Sequence, residues 1–268
     1  MPVGPLCFFQ SDYWQEPLAL DGVMGKMKSA ERMTPIMMKM KSGERLEREE
    51  EEALIREMSD ASDRFKAINF RLRFSEDFQA IELFMFMEAW LEQAGLSLDA
   101  MEAMAAWQPG SMQAMFEKRV PPPPPAGLDM AAVQEAGRKM QFCLGAMAIP
   151  GNVRPFSMST AALRSDLVRE EYEALMRDHE YLIKYGKTYR TFDPRGKEIF
   201  LDQMAAVTER WELLLGRFRL MGELDPDYIA VTSEYLAQFG CSTDEFLQHV
   251  RNAHSLMRKQ AEQEGLQH

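Results

Sequence analysis

The sequence predicts an all-α protein of two related multi-helix units, each a helical hairpin or bundle, joined by a proline-rich linker. Sustained alternation of Val, Ile and Thr, which is typical of strands, is nearly absent, whereas apolar residues recur at helical spacing. The segment RFKAINFRLRF at 64–74 returns in diverged form as RWELLLGRFRL at 210–220. Between them stands VPPPPPAG at 120–127, which favours an extended, semi-rigid conformation.

Size and charge exclude several classes of protein. The 268 residues, 46% of them hydrophobic, are enough to bury a sizeable core. A net charge of −11 opposes general nucleic-acid binding, because phosphate contacts need a basic face. The start of the sequence lacks a signal-peptide pattern, and the strongest apolar cluster, LFMFM at 83–87, is too short to span a bilayer. We therefore expect an unexported, cytoplasmic protein without a transmembrane segment.

The three cysteines are widely spaced and form no CxxC pair. A disulfide framework and a zinc knuckle both need closer or paired spacings. We expect reduced thiols at Cys7, Cys143 and Cys241.

The second half predicts four helices. The first covers about 160–187, where apolar residues repeat on one side. Asp-Pro pairs at 193–194 and 225–226 predict the starts of the next two, since Asp caps free backbone N–H groups and Pro fits the first turn. Ser242 with Glu245 forms a capping box that opens the last helix.

The first half can be laid over the second. The helical stretch at 42–74 corresponds to the second helix of the later unit. SEDFQAI stands where DPDYIAV stands, and LEQAGLSLDAM stands where LAQFGCSTDEF stands. We interpret this order as a diverged tandem duplication. The predicted domains are residues 8–118, a linker with a short helix at 119–159, and residues 160–264.

Three stretches carry a family resemblance: YLIKYGKTYRTFDPRGKEIFLDQM at 181–204, ERWELLLGRFRL at 209–220 and LAQFGCSTDEFLQHV at 236–250. Together they resemble a small helical domain family of unknown function found mainly in cyanobacteria, over about residues 161–263. The first half lacks the GKE and QFG landmarks, and we interpret it as a diverged second copy. The resemblance implies an all-helical fold and a cyanobacterial, cytoplasmic setting, and it implies no catalytic residues.

A basic, methionine-rich segment, GVMGKMKSAERMTPIMMKMKSG at 22–43, contrasts with the acidic chain. Three interpretations stay open: a broken first helix that packs into its own unit, a surface that contacts a partner or an anionic membrane, and a thioether site for Cu(I). Partner contact would use Met24, Lys26, Met27, Lys28, Met37, Met38, Lys39, Met40 and Lys41.

Four arginines end the two long helices. Positive charge there meets the carbonyl end of the helix dipole, so a structural role is the first interpretation. Anion contact is the second, through Arg71, Arg73, Arg217 and Arg219.

No catalytic or metal-binding pattern stands out. A di-metal bundle site needs Glu-x-x-His pairs, and none of the four histidines has a glutamate three residues before it. Glu245 precedes His249 by four residues, which gives at best a weak site, and His179 lies on an apolar stripe as a buried or boundary residue. We expect no catalytic residue, no metal site and no cofactor.

These observations favour a non-catalytic protein–protein interaction, assembly or regulatory factor. Its partner is unidentified and can be another protein or a second copy of the chain. An enzyme or metal-carrying bundle that uses carboxylates is the alternative. Peripheral membrane association through residues 22–43 is the second alternative.

Overall fold

The computed structural model describes residues 33–137, 155–157, 159–239 and 242–266. These residues form helices and loops and contain no strand, which confirms the all-α prediction. Residues 33–42 and 130–137 are also helical. The long helices are α1 (Arg48–Phe74), α2 (Phe78–Glu92), α3 (Leu98–Phe116), α4 (Asp166–Tyr185), α5 (Pro194–Leu220), α6 (Pro226–Phe239) and α7 (Thr243–Leu266).

Both Asp-Pro pairs start helices as predicted. The Asp193 carboxylate accepts a hydrogen bond of 2.7 Å from the Gly196 backbone N–H at the start of α5. The Asp225 carboxylate accepts one of 2.8 Å from the Asp227 N–H at the start of α6. Each bond satisfies a backbone donor that the first turn of a helix leaves free.

The capping box of α7 also forms as predicted. The Ser242 backbone N–H donates to the Glu245 carboxylate at 2.7 Å, and the Glu245 N–H donates to the Ser242 hydroxyl at 3.3 Å. The helix predicted over about 160–187 is shorter, because Ser165 has an extended backbone that separates a 3₁₀ turn, Ala161–Arg164, from α4. A second 3₁₀ turn, Gly186–Thr191, joins α4 to the loop before α5.

Helix α2 lies at the centre of the fold. Its sequence, FQAIELFMFMEAWLE, is apolar on almost every side, and such a helix is stable only when neighbours cover it all round. One side of α2 packs into a core with α3, residues 130–137 and the N-terminal part of α7. Its first turn, through Phe78 and Ile81, packs into a second core built mainly by α4 and α5.

The two halves of the chain therefore share their interior. The first core combines Leu83 and Leu98 of the first half with Phe246 and Val250 of the second. Helix α2 packs along α7, and this contact is one of the most extensive between helices. The halves predicted as separate units pack on each other across this contact.

A third, smaller core holds the end of the methionine-rich segment. Ile36 is buried there with Leu46 and Leu54, and side chains of α3 pack against them. This burial fits the interpretation in which the segment packs into its own unit. Among the apolar residues at 36–40, however, Ile36 is buried whereas the three methionines are exposed.

Helix lengths agree between the halves for two of the three corresponding pairs. Helices α1 and α5 each have 27 residues, α2 and α6 have 15 and 14, and α3 and α7 have 19 and 24. The packing differs, because α2 is covered by both halves. The tandem duplication stays a prediction.

Candidate partner-binding site

The candidate partner contacts of the methionine-rich segment are only partly visible. Met24, Lys26, Met27 and Lys28 lie outside the described residues. The side chains of Met37, Met38 and Met40 are exposed, as is that of Lys41. Lys39 instead forms an ion pair of 2.5 Å with Glu50, and this hydrogen bond lowers the pKa of the Glu50 carboxyl.

The four candidate arginines divide into two pairs. Arg73 donates to Asp99 at 2.6 Å, which raises the pKa of Arg73, and its guanidinium lies 5.3 Å from the centre of the Phe84 ring. Arg217 reaches Glu171 at 3.4 Å. In the part of the chain that the structure describes, Arg71 and Arg219 form no ion pair, so these two keep the capacity for anion contact.

An exposed aromatic pair ends helix α1. Phe70 and Phe74 are 64% and 57% exposed, and their ring centres lie 4.6 Å apart. They are four residues apart, so they share one face of the helix. They border an open recess of about 530 Å³, which is also lined by Arg71, Ser75, Asp77, Ala80 and Lys187. We call this surface the Phe70–Phe74 patch.

The second half of the chain holds this patch in place. The Lys187 ammonium donates to the Asp77 carboxylate at 2.8 Å. The Arg190 guanidinium donates to the Arg73 backbone carbonyl, and it lies 6.0 Å from the centre of the Phe74 ring. Arg190 thereby meets the carbonyl end of α1, where positive charge is favourable.

The charge on the patch is basic. Lys187 and Asp77 largely neutralise each other, which leaves the exposed guanidinium of Arg71 as the main charge beside the two rings. Aromatic side chains and arginine are enriched in the centres of protein interfaces. The surface therefore suits a partner with apolar anchors and a nearby acidic group.

The sequence held a signal for this patch. The buried stripe of α1 follows Leu54, Asn69 and Leu72, and the two phenylalanines fall off this stripe. Apolar side chains that leave the buried face of an amphipathic helix indicate a second contact surface.

A polar cavity of about 290 Å³ lies where the turn after α4 meets α2, α5 and α7, and Arg190 is part of its wall. We call it the junction cavity. It is lined by Tyr189, Arg190, Lys197, Gln260 and Glu264, with an apolar floor from α2 and α7. Lys197 is buried and donates to Glu264, so these two ionisable groups already satisfy each other. The buried Tyr189 hydroxyl has no hydrogen-bond partner among the described residues, and burial raises the pKa of this phenol strongly.

His179 and His249 lie in separate parts of the described structure. Within the described residues, no group of three or more His, Cys, Asp or Glu side chains is arranged to hold an ion. His249 meets Gln93 at 3.4 Å, and burial lowers its pKa. His179 is buried as predicted, and burial lowers its pKa to about 4. All three cysteines lie outside the described residues.

The turn that supports the patch belongs to the part of the chain that resembles a known domain. Residues 160–261 match a domain of unknown function, DUF1825. The match confirms that the second half resembles a domain of unknown function, whereas the cyanobacterial setting and the copy in the first half stay predictions. The comparisons with curated proteins and with solved structures gave no match.

The patch thus combines two parts of the chain. The DUF1825 region supplies Lys187 and Arg190, and the preceding residues supply Phe70, Arg71 and Phe74. The patch is complete only when both halves are folded together. None of the helices in the described ranges is both long enough and apolar enough to cross a membrane.

Proposed function

We propose that the protein is a non-catalytic protein–protein interaction or assembly factor of the cyanobacterial cytoplasm, and that it binds its partner through the Phe70–Phe74 patch. The observation that supports this most is the exposure of two adjacent phenylalanines beside a recess. Exposed apolar surface of this kind is typical of binding sites when polar groups surround it.

The energetics suit a moderate, specific contact. Fully burying a phenylalanine side chain is worth about 1.5–3 kcal/mol, so covering each half-exposed ring contributes roughly 1–2 kcal/mol. The two rings face the same side and need little ordering on binding, because Arg190 and the packing of α1 already hold their helix. Arg71 adds charge complementarity to an acidic group of the partner.

The test is affinity purification from the native host with three forms of the full chain. The wild type is compared with the double variant F70A/F74A and with the control L167A/L213A. The control removes two leucines that are also more than half exposed but lie on α4 and α5. Captured proteins are identified by mass spectrometry, and circular dichroism checks that all three forms have equal helix content.

A partner that binds the patch is recovered with the wild type and with the control. Its recovery with F70A/F74A falls roughly thirtyfold or more, because about 2 kcal/mol or more of binding free energy is lost with the two rings. Equal recovery with F70A/F74A and wild type excludes the patch as the binding surface.

The alternative class is an enzyme or metal-carrying bundle, and the junction cavity is its best site. The unpartnered Tyr189 hydroxyl beside Lys197 and Glu264 favours it. Metal analysis of the purified protein tests the metal form of this proposal. A stoichiometric bound ion supports it, and folded protein purified from the native host without a bound ion excludes it.

Peripheral membrane association through residues 22–43 is a second alternative. Met37 and Met38 are exposed beside Lys41, a combination suited to an anionic lipid surface. Co-sedimentation with anionic liposomes is expected to be lost in K26E/K28E/K39E/K41E. It is expected to persist in the control K66E/K118E/K184E/K259E, which reverses four exposed lysines elsewhere.

A further inference from the structure

The proline run lies along helix α3. The Arg119 backbone N–H donates to the Ala114 carbonyl at 2.8 Å, which turns the chain back at the end of α3. The indole N–H of Trp107 then donates to the Pro122 carbonyl at 3.0 Å. Farther on, a Cβ added at Gly137 would lie 3.8 Å from Met101 Cε, near the start of α3. The segment from 119 to 137 therefore runs antiparallel to α3 along its length.

The contact at Trp107 has the chemistry of polyproline recognition. A proline run lacks backbone donors and forms no internal hydrogen bonds, so its carbonyls are free to accept. Proteins that bind such runs offer flat aromatic side chains, and the indole N–H is a donor without an acceptor function. Trp107 supplies this donor, because its N–H reaches the run while its ring is held by packing against the first core.

We propose that α3 carries a polyproline-binding site centred on Trp107, that the chain's own residues 121–125 occupy it, and that it accepts a proline-rich segment of another protein once this run is withdrawn. The site is independent of the Phe70–Phe74 patch, since it uses a different helix and a different ligand class.

The chain's own proline run occupies the site because both ends of the run are tethered close to it. It is anchored on one side by Arg119 and on the other by the buried Val133. A short tether gives an effective concentration on the order of millimolar, which excludes a weaker external ligand. Pro121, Pro122, Pro123 and Pro124 are nevertheless exposed, so the run is held by few contacts and can be displaced at modest cost.

The test uses the full chain with the run replaced, P121S/P122S/P123S/P124S/P125S, called the five-serine variant. A fluorescein-labelled peptide of the sequence VPPPPPAG is titrated, and its fluorescence polarisation is measured. We expect the peptide to bind the five-serine variant at least tenfold more tightly than the wild type. Adding W107F, which keeps a ring but removes the N–H, weakens that binding about threefold to tenfold, the effect of one hydrogen bond.

The matched control adds W90F to the five-serine variant. Trp90 also packs, partly buried, against the first core, but it lies on α2. Peptide affinity is expected to stay unchanged in this control. The proposal is overturned if the peptide binds the five-serine variant no better than the wild type, or if W107F has no larger effect than W90F.

Hydrogen exchange gives a readout that does not depend on the peptide. In the wild type the Trp107 indole proton is hydrogen-bonded and is expected to exchange slowly in NMR spectra. In the five-serine variant it is expected to exchange at least tenfold faster, and added peptide restores slow exchange. Equal exchange rates in both forms also overturn the proposal.

Discussion

Glu82 of α2 and His254 of α7 lie in contact in the protein interior, with 2.6 Å between the carboxylate Oε1 and the imidazole Nε2. Glu82 is fully buried, although it sits in the most apolar helix of the chain. A carboxylate at such a position needs polar partners, because leaving it unpaired in the interior is costly. This contact therefore fixes how α2 of the first half sits on α7 of the second.

Removing the imidazole is expected to destabilise the protein strongly. His254→Leu leaves the buried Glu82 carboxyl without this hydrogen-bond partner, and such a loss costs about 1–3 kcal/mol. The control is Asp202→Asn, which breaks the exposed pair with Arg258 and costs less than about 1 kcal/mol. Urea unfolding at pH 7 measures both. Equal losses in the two variants would show that the interior contact carries no special stability.

The junction between the halves also depends on Gly186. A Cβ at this position would lie 2.9 Å from Phe200 Cζ and 3.0 Å from Phe78 Cβ. Gly186→Ala therefore forces the Phe200 ring and Phe78 away from this turn and is expected to cost about 1–3 kcal/mol. Gly216 in α5 is the control, because its Cβ would meet nothing within 4 Å, and Gly216→Ala is expected to stabilise by about 0.5–1 kcal/mol.

Thermal unfolding of the two glycine variants measures these opposite changes in stability. We expect the midpoint of Gly186→Ala to fall below that of the wild type, and the midpoint of Gly216→Ala to rise above it. A Gly186→Ala variant as stable as the wild type would mean that Phe78 does not pack on this turn.

Local features of the fold could be predicted from sequence, and contacts between the halves could not. The caps at Asp193 and at Ser242 with Glu245 depend on residues three positions apart, so their pattern is visible in the chain. Helix α2 is apolar all round, so its sequence gives no direction in which it should pack. The contact of Glu82 with His254 joins positions 172 residues apart, and neither residue belongs to a motif.

The candidate site shows the same division. The place of Arg71 in the last turn of α1 predicts a structural charge at the helix end and, as a second interpretation, an anion contact. Phe70 and Phe74 could have been found from their position off the buried stripe. Lys187 and Arg190 could not, because only the packing of the second half brings them to the end of α1.

Buried His179 makes stability depend on pH. Burial lowers its pKa to about 4 in the folded chain, whereas an unfolded histidine has a pKa of about 6.5. Between these values the unfolded state binds more protons, so stability is retained above about pH 6.5 and falls as the pH decreases towards 4. The full effect is about 3 kcal/mol, and about 2 kcal/mol of it is lost by pH 5.

The measurement is urea unfolding at pH 7.5 and pH 5.0 for the wild type and for His179→Gln. We expect the loss of stability between the two pH values to be about 2 kcal/mol smaller in the variant. A smaller pH dependence remains, because burial also lowers the pKa of His249. If the two proteins lose equal amounts, His179 is protonated in the folded chain and the argument from burial is wrong.

The Tyr189 hydroxyl tests what the junction cavity does. It is buried, and it has no hydrogen-bond partner among the residues that the structure describes. Removing an unsatisfied buried hydroxyl removes its desolvation cost, so Tyr189→Phe is expected to raise the free energy of unfolding by up to about 1 kcal/mol. The control Tyr181→Phe removes an exposed hydroxyl and is expected to change stability by less than about 0.5 kcal/mol. The opposite result would be a loss of more than about 1 kcal/mol in the free energy of unfolding of Tyr189→Phe alone. It would mean that the hydroxyl bonds to a molecule held in the cavity. That outcome favours the enzyme or metal-carrying alternative over an interaction factor.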